Sequence, residues 1–220
     1  MTGGDTSSAG VLERSIAPAP GAGALAVLVL EELLAPPVLD WVRTCALGAE
    51  NRMNESPVLT GGESSTRVDA TARRSRVLWE PPPWLVALFR SQIHRVLPDV
   101  LIRMDHEVVV PTAVDVQLTV HEDGGHFCAH TDASNSVHPD RHLSYVYFCH
   151  GEPAAFAGGL LRIDDAPNEG APEDRWVEVE PVANRLVLFP SRSRHEVTEV
   201  RVPSGRFADG RFTVNGWVCW

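Results

Sequence analysis

The chain has 220 residues, enough for one compact domain, and 44% hydrophobic with 22% charged residues is an ordinary globular composition that excludes a disordered, collagen-like or fibrous protein. Nineteen basic against 29 acidic residues leave a net charge of −10, which disfavours nucleic acid or an anionic membrane as partner, since both need a basic footprint. All 19 basic residues are arginine, so a lysine Schiff base and a lysine-bearing phosphate loop are both ruled out. In chain order, residues 1–22 mix Gly, Ser, Thr, Pro and Ala with few large apolar groups and read as a flexible tail before a single domain over 23–220. The run from Ala24 to Leu30 reads as a strand. Stopped by Glu31 and Glu32, it is far too short to span a bilayer. A helix follows, opened by Pro36 and Pro37, with Leu39, Val42, Ala46 and Leu47 at helical spacing. Residues 51–75 are polar and read as a lid loop. Leu85, Leu88, Phe89, Ile93, Val96 and Leu97 then form the apolar stripe of a second helix, on whose surface His94 sits.

From about residue 107 the period changes to two or to short β-branched runs. EVVV, AVDVQLTV, HFCAHTD, LSYVYFCH, GLLRID, RWVEVEPV, RLVLF, HEVTEVRV and RFTVNGWV are short strands separated by turn residues, which predicts an all-β sandwich or barrel behind the helices of 23–105. Cys45, Cys128, Cys149 and Cys219 are scattered and form no CxxC pair, so reduced thiols and a cytoplasmic location are expected.

An H-x-D tripeptide can grip an ion because residues two apart on a strand share a face. Nine His and thirteen Asp in 220 residues predict about 0.5 such matches by chance. The chain has three. His121-Glu-Asp123 runs into Gly124-Gly125 and His138-Pro-Asp140 contains a proline, so both read as turns. His130-Thr-Asp132 ends a strand-like run. A two-histidine, one-carboxylate triad, the ligand type of non-haem Fe(II), needs a second histidine from elsewhere. His195, the one histidine after His150, is the candidate, with a strand-edge histidine as the plain alternative. On the last strand Arg211, Thr213, Asn215 and Trp217 share one face, and an Arg beside a hydroxyl can hold a carboxylate by charge-assisted bonds.

Taken in order, HEDGGHFCAHTD, RHLSYVYFCH, FAGGLLRID, VEPVANRLVLFPSRSRHEV and GRFTVNGWV resemble the core of the Fe(II)/2-oxoglutarate-dependent dioxygenases, in particular their prolyl 4-hydroxylase-like branch, over about residues 106–220. The resemblance implies a mainly β fold, a double-stranded β-helix (jelly-roll) over 106–220 packed on N-terminal helices, with Fe(II) and the cosubstrate 2-oxoglutarate as cofactors. Residue by residue, His130, Asp132 and His195 match the catalytic iron ligands, and Arg211 with Thr213 matches the pair that holds the distal carboxylate of 2-oxoglutarate. The chain departs from the pattern at two tyrosine positions, which fall on Val120 and Phe148. Gln117, Tyr145 or Tyr147 are the candidates to compensate, and Arg206 is the rival to Arg211.

What the resemblance implies is a hydroxylase that consumes dioxygen, attacks an unactivated C–H bond of a small molecule and releases succinate and CO₂. Asp132, where halogenating relatives carry a small residue, favours hydroxylation. Arg52, Arg67, Arg73, Arg74, Arg141 and Arg175 on the polar stretches suit an anionic substrate such as an amino acid or a natural-product intermediate. A peptidyl, prolyl-type hydroxylase is one alternative, and a non-catalytic metal-binding β-barrel or sensor module of cupin type is another. The chain carries neither the H-E-x-x-H of a zinc protease helix nor the G-x-S-x-G of a serine hydrolase. Trp217 stands where related nucleic-acid demethylases have a further arginine.

Overall fold

A computed structural model of the chain describes residues 13–15, 27–59, 66–134, 136–164 and 176–220. Its elements are β1 (Leu28–Leu30), α1 (Pro36–Leu47), β2 (Arg73–Arg74), β3 (Arg76–Leu78), α2 (Pro83–Arg103), β4 (Gln117–His121), β5 (Gly125–His130), β6 (Arg141–Phe148), β7 (Leu161–Asp164), β8 (Trp176–Val179), β9 (Leu186–Pro190), β10 (His195–Arg201) and β11 (Arg211–Cys219). Of the segment expected as a tail, Glu13–Ser15 forms a short strand along β1 and the rest lies outside the described residues.

The larger sheet runs β1-β9-β6-β11-β4-β3 through its centre and the smaller runs β8-β7-β10-β5-β2, with every pairing antiparallel. From β4 to β11 the chain crosses repeatedly between the two sheets. That is the winding of a double-stranded β-helix, and it gives the mainly β fold on two helices that the sequence implies.

Alternation along the strands of the larger sheet sorts its side chains into two layers. One set, including Leu118, Val120, Tyr145, Tyr147, Leu186, Leu188, Phe212 and Val214, is buried against the helices, where α2 presents Leu85, Phe89, Ile93, Leu97 and Val100. The opposite set faces the smaller sheet. There Val29, Val187, Phe148 and Phe189 pack with Leu161, Ile163 and Val179 in a second apolar cluster. α1 buries only Val42 and Ala46, with Leu39 packed at the margin and Leu47 exposed. Asn184 ties the layers together: its carbonyl accepts from Leu34 N and the Tyr147 hydroxyl, and its amide donates to Leu34 O. EVVV, expected as a strand, is unpaired. Its Val108 and Val110 are exposed, and pairing starts only at Ala113–Val114, against β11. Apolar β-branched residues make a strand only where a neighbouring edge is available. Among the described residues no helix is long and apolar enough to cross a membrane.

Candidate metal centre

β5 and β10 lie side by side in the smaller sheet with His130 directly opposite His195, after a register shift that follows Phe127. The two rings come within 4.2 Å, centroid to centroid. Asp132 stands just beyond β5, its N–H donating to Ser191 O, so that the carboxylate meets both rings: Oδ1 is 3.6 Å from His130 Nε2 and Oδ2 is 3.4 Å from His195 Nε2. One ligand atom from each of the three residues lies within 4.8 Å of the others, the one such group among the described residues.

The surroundings fix what these groups can donate. His130 Nδ1–H donates to Cys128 O and His195 Nδ1–H to Ser193 O, both at 2.9 Å, which turns each Nε2 toward Asp132. Ser144 Oγ donates to Asp132 Oδ2 at 2.6 Å and lies 3.0 Å from Ser191 Oγ. Burial works against the charge on Asp132, but His195, His130 and Ser144 outweigh it and hold the carboxyl well below the usual range. Burial pushes His195 down to about 4 despite Asp132. At neutral pH Asp132 is a carboxylate and His195 a neutral imidazole, and with His130 beside them the set has the donor chemistry of a divalent first-row metal, three protein ligands leaving positions open.

The group opens into a cavity of about 500 Å³, within the range of small-molecule sites. Gln117, Thr119 and His121 of β4 and Arg211, Thr213, Asn215 and Trp217 of β11 line its larger-sheet wall. Arg211 is 1% exposed, and burial pushes it down to about 9. Its Nε donates to Gly159 O at 2.8 Å and its guanidinium lies over the Phe148 ring at 4.9 Å. Among the described residues Nη2 has no partner and no carboxylate pairs with the guanidinium. Gly159 makes this placement possible, because at φ +68 an added Cβ would fall 2.6 Å from Arg211 Cδ. A buried cation without a counter-charge marks an anion site.

The five residues expected from sequence thus face one cavity. Arg206, the rival, pairs with Asp209 at 2.7 Å on the surface. The first of the two tyrosine positions needs correction. Val120 faces the helices, and it is His121, one residue on, that faces the cavity. Of the three compensation candidates Gln117 and Tyr145 line the cavity, with the Tyr145 hydroxyl donating to Asp115 O, whereas Tyr147 is committed to Asn184. His121 is also not in a turn. It closes β4, is 3% exposed and is kept neutral by burial and by the Arg211 and Arg73 guanidiniums. The signal that could have found it is the alternation of Gln117, Thr119 and His121 with Leu118 and Val120. Of the six arginines noted on the polar stretches, Arg73 and Arg141 line the cavity, Arg141 lying 3.5 Å over the Trp217 ring; Arg175 is outside the described residues.

Comparison with known proteins gives a family and a fold. The family described as the 2OG-Fe(II) oxygenase superfamily matches residues 116–219. A PKHD-type hydroxylase of Synechocystis sp. strain PCC 6803 is 38% identical over 150 residues, 66% of this chain and 50% of that protein. The chain thus spans about half the length of this curated relative. Among solved structures, a Pseudomonas putida prolyl-4-hydroxylase superposes with a TM-score of 0.61 at 19% identity over 89% of this chain and 93% of that one. A prolyl hydroxylase of Trichoplax adhaerens, in complex with a peptide fragment of the hypoxia inducible factor oxygen degradation domain, gives 0.63 at 19% identity over 88% and 83%.

Proposed function

We propose that the chain, which matches the 2OG-Fe(II) oxygenase superfamily over residues 116–219, is an Fe(II)- and 2-oxoglutarate-dependent hydroxylase of a small, anionic molecule. The observation that carries this reading is Arg211, a buried guanidinium with an unpartnered Nη2, set in the same cavity as the His130, Asp132 and His195 group.

In this reading His130, Asp132 and His195 hold the iron, which with 2-oxoglutarate and dioxygen supplies the oxidising chemistry, giving hydroxylated substrate, succinate and CO₂. Ser144 fixes the Asp132 carboxylate so that the set is ordered before metal arrives. Arg211 and Thr213 take the distal carboxylate of 2-oxoglutarate, with the Phe148 ring closing the face of the guanidinium. Phe127 and Phe189 pack against the two histidine rings and limit water there. Arg73 and Arg141 offer charge to an acidic substrate at the same cavity, and the retained Asp132 keeps the outcome hydroxylation.

The test is anaerobic addition of Fe(II) and 2-oxoglutarate, read by the metal-to-ligand charge-transfer band, in wild type, His130→Ala and Arg211→Ala. Wild type shows the band and both variants weaken it; equal bands in all three would overturn the assignment. A peptidyl substrate is the second reading, favoured by the prolyl hydroxylases among the structural neighbours. Succinate formation stimulated by prolyl peptides and not by free carboxylic or amino acids would establish it in place of the first.

A further inference from the structure

β4 and β11 are paired so that His121 stands directly opposite Arg211 and Thr119 directly opposite Thr213. Facing residues of an antiparallel pair bring their Cβ atoms to about 5 Å. All four side chains line the same cavity and all are buried, at 2% for Thr119, 3% for His121, 1% for Arg211 and 3% for Thr213. Within this square Thr119 Oγ1, both ring nitrogens of His121 and Arg211 Nη2 have no hydrogen-bond partner among the described residues. Native proteins seldom leave one buried polar atom unsatisfied, and four on adjacent positions, facing one cavity, call for a polar occupant.

We propose that Thr119 and His121 are binding residues for the distal carboxylate of the cosubstrate, completing with Arg211 and Thr213 a four-sided cradle. The inference rests on the reading of Arg211 given above. A carboxylate has two oxygens and about four lone-pair sites, and the square offers matching donors: the guanidinium, two hydroxyls and one imidazole N–H. His121 acts as a neutral donor. Charge balance is thereby left to Arg211 alone, one cation for one carboxylate. The cradle distinguishes a dicarboxylic oxo acid from a monocarboxylic one, because without the second carboxylate the buried donors stay unpaired.

The experiment uses the full chain loaded with Mn(II) in place of iron, and measures by calorimetry the affinity for 2-oxoglutarate, for 2-oxopentanoate, which has a methyl in place of the distal carboxylate, and for the metal. Thr119→Val and His121→Phe keep shape and remove the donors. Each is expected to weaken 2-oxoglutarate about 10- to 100-fold, the range for a hydrogen bond to a charged group. Metal affinity and melting temperature should stay near wild type, 2-oxopentanoate should bind no worse than to wild type, and Thr119→Ser should retain most of the affinity. Unchanged 2-oxoglutarate affinity in both variants overturns the cradle, as does an equal loss for both oxo acids, which would mean general damage to the cavity. Failure of the wild type to bind 2-oxoglutarate would instead fell the parent reading, and the cradle with it.

Discussion

Replacing Arg211 with methionine separates the two costs that meet at this residue. Burial lowers the guanidinium from its ordinary value to about 9, which corresponds to a penalty on the charged form on the order of 5 kcal/mol. Against it stand the bond to Gly159 O, about 1.5–3 kcal/mol for a charged donor, and the Phe148 ring, about 1–2 kcal/mol when desolvated. The remainder, about 0–3 kcal/mol, is uncompensated until an anion arrives. Methionine has similar length, no charge and leaves no buried donor, so the variant without cosubstrate should be as stable as wild type or more stable. At about 3 °C per kcal/mol for a chain of this size, the melting temperature should stay level or rise by up to about 9 °C. The binding side moves the other way. Wild type with metal should gain about 2.7 kcal/mol from 2-oxoglutarate at a hundred times its Kd, and Arg211→Met should gain nothing. Thermal unfolding with and without 2-oxoglutarate measures both. Loss of more than about 3 kcal/mol in the ligand-free variant would refute the reasoning, for it would show that the guanidinium serves the fold and not a ligand.

Removing the hydroxyl that holds the metal-site carboxylate, in Ser144→Ala, should weaken metal affinity about 10- to 100-fold with little change in fold, read by metal titration of the apoprotein. Gly159→Ala should destabilise the chain by about 1–3 kcal/mol and abolish 2-oxoglutarate binding together, since φ +68 and the Arg211 stem both oppose a side chain there; denaturant unfolding and calorimetry read the two effects. His150, buried and neutral, is pushed down to about 4 by burial and by Arg211 and Arg43. The unfolded chain therefore binds the extra proton first as pH falls. Its contribution is fully present above about 6.5, is lost progressively toward 4, and amounts to about 3 kcal/mol; a stability–pH profile of His150→Phe should be flatter over that window.

Much of the site is legible in the sequence because period-two alternation converts spacing into a shared face. His130 and Asp132 stand two apart at a strand end, and Arg211, Thr213, Asn215 and Trp217 stand two apart within one, so their convergence needs no tertiary knowledge beyond the strand itself. The apolar stripe from Leu85 to Leu97 marks α2 in the same way. His121 is harder to see because Gly124 and Gly125 follow closely and suggest an early turn, whereas the strand runs on until His121 has paired with Arg211. Counting back to Val120 fails for the same reason: a distance along the chain is blind to which face a position occupies. The pairing of His130 with His195 across a register shift, and the unmatched charge of Arg211, are properties of long-range contact that no local pattern encodes.

β11 carries two messages interleaved letter by letter, one spelling the interior that keeps the molecule folded and the other the chemistry at its mouth. Deleting a single letter near its start would transpose them, thrusting an arginine among the helices' hydrocarbon and a phenylalanine toward the metal. Point substitutions in this segment can be tolerated one message at a time, but a frame change erases both at once, so drift here is confined to swaps in place.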